Sequence, residues 1–157
     1  MNTHDLRSLR ALRQLREQRA SSQLVAQQQR CRDSHEALDD AKEKLRLHRE
    51  ALARKAEQIY GNFSEGLSVS AWQAAQEHLD ELADNQRELE TNVDLNEQAL
   101  AAQEREREVF RAARMARQRQ AEACDALLGD RLRSERQSAE RRDEAEDLPV
   151  VSSGNRA

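Results

Sequence analysis

The residue types able to do chemistry are present in this chain, but their spacing keeps them apart. His4, His35, His48 and His78 are scattered, and none belongs to an H-x-x-x-H pair of the kind that puts two imidazoles on one helix face for zinc. The acids Glu77, Asp80, Glu81 and Asp84 follow one another at helical intervals, which makes one charged, solvated face rather than a cage for a divalent ion. Gly61 and Gly66 flank Ser64 in a G-x-x-S-x-G run. It lies between helical stretches, so it lacks the strand-to-helix elbow that exposes a nucleophilic serine. No glycine-rich loop ends in Lys and Ser or Thr, the arrangement whose backbone N–H groups cradle phosphates. The expectation is a non-enzymatic protein with no cofactor and no metal.

What must position these side chains is helix. Of 157 residues, 36% are charged and only 3% aromatic, with four glycines and one proline, Pro149. The mean hydropathy is −1.04. Such a chain lacks the apolar bulk for a globular core and suits long helices that share narrow stripes. From about Asp5 to Tyr60 there is no Gly or Pro, and Leu24, Cys31, Leu38, Leu45, Leu52 and Ile59 recur every seven residues. That is one seam position of a coiled coil; the companion positions are mostly polar.

The only strong break is Tyr60 to Ser70, which holds Gly61 and Gly66. A second helix is predicted to open there with Ser70 and Gln73 as a capping box. Its apolar repeat includes Trp72, Leu79, Leu82, Leu89, Val93, Leu100, Phe110, Cys124 and Leu128. Gln86 and Asn96 fall at seam positions, where polar residues commonly fix register. The predicted architecture is all-α, a long two-helix antiparallel coiled-coil hairpin: 1–60 the first helix, 61–70 the loop, 71–146 the second helix, and 147–157 a disordered tail. Folding at the loop pairs Ile59 with Trp72, Leu52 with Leu79, Leu45 with Gln86, Leu38 with Val93 and Cys31 with Leu100. It also sets Glu17 against Arg114. Cys124 then falls opposite position 7, about 36 Å from the Cys31 layer at about 1.5 Å per residue, which excludes a disulfide between them.

Charge is unevenly distributed. Residues 1–32 hold seven arginines against two acids, and residues 61–100 hold one arginine against nine acids. In the first segment Leu6, Leu9, Leu12 and Leu15 recur every third residue, shadowed by Arg7, Arg10, Arg13, Arg16 and Arg19. Each three-residue step turns back by about 60° around a helix, so the four leucines cannot all enter one seam. Part of that apolar surface is left for a partner, or the first turns fray. Nucleic acid is disfavoured, because the arginines spiral and no stacking aromatic lies among them. Direct membrane insertion is disfavoured too: no run approaches about 20 apolar residues, which, with no secretory leader pattern, points to the cytoplasm. At the break, Tyr60, Phe63 and Trp72 gather with Leu67 and Val69. Trp72 is expected to plug the end of the seam, with Tyr60 and Leu67 either joining it or left to a partner, and Phe63 is expected to be exposed.

The opening LRSLRALRQLREQRA (Leu6 to Ala20) and the centre YGNFSEGLSVSAW (Tyr60 to Trp72) resemble the FliJ and YscO-like central stalk proteins of type III secretion and flagellar export. The resemblance covers nearly the whole chain. It implies a stalk whose paired termini enter a hexameric secretion ATPase and whose hairpin end reaches a membrane export-gate protein, with secretion chaperones as further partners. It assigns Leu6, Arg7, Leu9, Arg10, Arg13 and Arg16 to the ATPase and Phe63 and Leu67 to the gate, and places the protein at a membrane secretion apparatus on the cytoplasmic side. The same features fit a cytosolic scaffold or chaperone adaptor with no ATPase link.

Overall fold

The seven-residue repeat and the absence of helix breakers are realised as two helices, α1 at Thr3–Ser64 and α2 at Val69–Asp147. The computed structural model describes residues 1–66 and 68–149; Leu67, assigned above to the gate, and most of the expected tail, 150–157, lie outside the described residues. The helices pack against each other as an all-α hairpin. The chain divides into two compact units, Gln23–Arg111 and a unit made of Met1–Ser22 with Ala112–Ala157.

Helix starts and stops follow local chemistry. Asn2 Oδ1 accepts the Asp5 N–H at 2.8 Å while Asp5 Oδ2 accepts the Asn2 N–H at 3.2 Å, a reciprocal cap that begins α1 at Thr3. α1 runs four residues past the expected boundary. Gly61 and Asn62 stay helical, and the helix closes through Glu65 N–H to Asn62 O at 3.1 Å and Gly66 N–H to Phe63 O at 3.2 Å. Gly66 then takes φ +93°, a conformation that side-chain-bearing residues resist. The connection is therefore shorter than the expected 61–70. The α2 cap is Ser68 rather than Ser70: its Oγ accepts the Ala71 N–H at 3.2 Å, and its carbonyl accepts the Trp72 N–H at 3.0 Å. Ser70 lies inside the first turn, so the 70–73 box does not form the boundary. Gly129 lies inside α2, where a glycine is a weaker helix former than alanine.

In the unit Gln23–Arg111, Leu24, Cys31, Leu38, Leu45 and Ile59 are buried from α1, joined by Ala41 and Gln27, and Val93 and Leu100 from α2. Leu38, Ala41, Leu45, Val93 and Leu100 form a contiguous cluster with Leu89 against it. Gln27 meets Gln103 and His48 meets Leu82, so α2 numbers fall as α1 numbers rise and the pairing is antiparallel. These contacts lie within one residue of the register read from the sequence. Leu52, Trp72 and Leu79 are only half-buried, because two helices cover a seam residue from one side and leave its outer flank to solvent. Each fully buried Leu or Ile contributes about 1.5–3 kcal/mol. Helices in proteins draw most of their stability from packing of an apolar face rather than from propensity, so the seam holds the pair.

In the other unit, Leu6, Ala20, Ala121, Cys124 and Leu128 are buried. Cys124 Sγ lies 3.9 Å from the Leu6 carbonyl, one residue from its expected layer. Arg10 pairs with Asp125 at 2.6 Å. Arg114 Nε donates to Ser21 Oγ at 3.0 Å, so Ser21, and not Glu17, is its partner. Both cysteines are free and buried.

Candidate interaction surfaces

Three side-chain groups stand out, each within a single unit. The first is the Leu and Arg stretch at the start of α1. Helical precession sorts its leucines: Leu6 is buried, Leu9 half-buried, and Leu12 and Leu15 are 44% and 63% exposed. Leu6 therefore belongs to the helix pairing, and the apolar area open to a partner is that of Leu12 and Leu15. Arg7 and Arg16 are exposed beside them. Arg10 is held by Asp125, and Arg13 Nε is buried without a hydrogen-bond partner. On α2 of the same unit Met115 and Leu127 are exposed.

The second group surrounds the connection in the unit Gln23–Arg111. Phe63 and Trp72 stack with ring centroids 4.9 Å apart and planes at 49°. Phe63 is nevertheless 56% exposed, and Tyr60 and Val69 are more so. Of the two alternatives for Tyr60, the open one holds: one residue past Ile59, it points away from the seam that Ile59 enters. From Ala56 to Gln86 the chain contains six acids and no Lys or Arg, so this exposed aromatic end is set in negative charge.

The third group is polar and sits inside the seam. Gln27 is fully buried. Its Nε2 donates to Gln103 O at 2.9 Å and to Gln103 Oε1 at 2.7 Å, while its Oε1 accepts from Arg30 Nη1 at 3.2 Å. His48 Nε2 lies 2.8 Å from Leu82 O. Gln86 and Asn96, the polar seam residues expected to fix register, instead bond within α2, to Glu90 at 3.0 Å and to Asn92 O at 2.8 Å. Sequence reasoning missed Gln27 because it opens a run of three glutamines, Gln27 to Gln29.

His35 stands one helical turn from Cys31, a spacing that metal sites use, but Cys31 turns into the seam while His35 faces solvent and Glu104 at 3.6 Å. Among the described residues no group of three His, Cys, Asp or Glu side chains could hold a metal ion, and no helix is long and apolar enough to cross a membrane. Surface carboxylates are tuned by neighbours. The hydrogen bond from Arg46 holds the Glu43 carboxyl below its ordinary range, and those from Gln86 and then Arg49 do so for Glu90.

What the fold defines is a class, the two-helix all-α hairpin. No family model matches the chain, and neither a curated protein nor a solved structure does.

Proposed function

We propose that this chain is a non-enzymatic central stalk of a type III secretion export apparatus, linking a hexameric ATPase to the membrane export gate and promoting protein export. The observation that carries the reading is the division of the opening leucines. Leu12 and Leu15 stay exposed between arginines while Leu6 packs against α2's unit core. An apolar anchor ringed by cations suits docking to an acidic protein surface, with a salt-sensitive on-rate. The exposed aromatic end at Tyr60, Phe63 and Val69 offers a second contact of different chemistry, fitting the export gate.

The deciding experiment is co-purification with the hexameric ATPase of a secretion system, followed by its hydrolysis rate with and without this chain. Changing Leu12 and Leu15 together to Ser, and separately Arg7 and Arg16 to Glu, should weaken capture and abolish any change in hydrolysis while leaving helicity intact. Unchanged capture by both variants would remove the ATPase from the reading and leave a scaffold or chaperone adaptor.

A further inference from the structure

The apolar seam of the unit Gln23–Arg111 is nearly blind to its own register. In the register read from the sequence, Cys31 with Leu100, Leu38 with Val93, Leu52 with Leu79 and Ile59 with Trp72 are apolar layers, whereas Leu24 falls opposite Arg107 and Leu45 opposite Gln86. Sliding α2 by one heptad in one direction gives Leu24 with Leu100, Cys31 with Val93, Leu45 with Leu79 and Leu52 with Trp72. Sliding it the other way gives Leu38 with Leu100, Leu45 with Val93 and Ile59 with Leu79. Because a heptad repeat is periodic, hydrophobic burial alone separates these arrangements poorly.

Polar contacts discriminate only where the partner is a particular side chain. His48 bonds a backbone carbonyl, that of Leu82, and every register supplies a carbonyl. Arg49 and Glu90, 3.1 Å apart, are largely exposed, and surface pairs contribute little. Gln27 differs. Its amide is sealed from water, and one of its donor bonds ends on a side-chain oxygen, Gln103 Oε1 at 2.7 Å, beside a second to the Gln103 backbone carbonyl, while its oxygen takes Arg30. In the slipped registers Gln27 would face Asn96, whose side chain is one methylene shorter and must reach further across the seam, or Phe110, which offers no side-chain acceptor. A buried amide left unpaired is penalised heavily.

We propose that the Gln27–Gln103 layer is the specificity element of this hairpin: it selects one antiparallel register from several that the apolar seam accepts. The layer thereby sets which α2 residues stand beside which α1 residues throughout the unit, and it disfavours out-of-register pairing with a second copy of the chain. This holds whatever the protein docks to.

The test uses the full chain carrying Gln27→Leu or Gln103→Leu, with spin labels on cysteines introduced at Arg49 and Glu90. Native Cys31 and Cys124, each 2% exposed, are replaced by Ala in all samples. The parent should give one label distance. Both variants should keep the parent's helicity yet give additional distances, because a one-heptad slip moves the labels by about 10 Å along the helices, together with a larger mass fraction of dimer in sedimentation. A single parent-like distance in either variant would overturn the proposal. So would loss of helicity in both, which would make the layer a support of the fold rather than a selector of register. Gln103 is only half-buried, so its variant remains informative should Gln27→Leu fold poorly.

Discussion

Phe63, in the last turn of α1, stacks on Trp72, in the first turn of α2, with ring centroids 4.9 Å apart. The pair clips the two helices at their connection, so Phe63 is both an exposed surface residue and a packing residue. Aromatic pairs contribute about 0.5–1.5 kcal/mol beyond area burial. Phe63→Ala should destabilise the hairpin by about that amount. Trp72 is the only tryptophan, so its emission should shift to the red, and an unchanged spectrum would show that the stack does not persist in solution.

This double role matters for any secretion assay. Tyr60 is 63% exposed and should tolerate Tyr60→Ala within about 0.5 kcal/mol in thermal unfolding. If the aromatic end docks at the export gate, Tyr60→Ala should lower export with the melting temperature unchanged. Normal export would remove Tyr60 from that contact.

Two glycines should respond oppositely to alanine. Gly66 sits at φ +93°, where a β-carbon is strained by about 1–2 kcal/mol, so Gly66→Ala should lower the melting temperature. Gly129 is helical, and an added β-carbon would meet nothing within 4 Å. Gly129→Ala should therefore stabilise α2 by about 0.5–1 kcal/mol. Paired thermal melts check both signs.

Core and surface leucines should separate cleanly. Leu38, buried in the cluster with Val93 and Leu100, should cost about 2–5 kcal/mol on change to Ala. Leu15, exposed between arginines, should change stability by less than about 0.5 kcal/mol. Urea unfolding of both variants measures the contrast.

Acid should weaken the fold through Glu43, bonded within α1, and Glu90, which reaches across to Arg49. Both carboxyls are held below their ordinary range in the fold, Glu43 by Arg46 and Glu90 by Gln86 and Arg49. A depressed folded value means stability that is fully present above the unfolded value of about 4.3 and is lost as pH falls through the lower folded values. Melting temperatures of the parent and of Glu43→Gln with Glu90→Gln should converge as pH is lowered from 7 to 3. A constant gap would remove these two groups from the acid response.

Local spacing determined much of this protein. The seven-residue repeat of α1, the glycine-bearing break and the fuller repeat of α2 dictate two helices and an antiparallel return, with Gln27 and Gln103 and His48 and Leu82 meeting within one residue of the expected register, because helical periodicity is written into the order of side chains. The precession of Leu6, Leu9, Leu12 and Leu15 likewise dictates that some of them stay outside. Only the tertiary structure decided which polar groups go in: Gln27 rather than its neighbours Gln28 and Gln29, and Gln103 rather than Gln86 or Asn96 as its partner. It also decided that Ser68 caps α2, that Tyr60 turns outward and that Phe63 leans on Trp72. Each of these depends on where the opposite helix lies across the seam. Composition and spacing along one strand of chain leave that position open, and it is fixed only when buried amides, rings and carbonyls on two helices find their partners together.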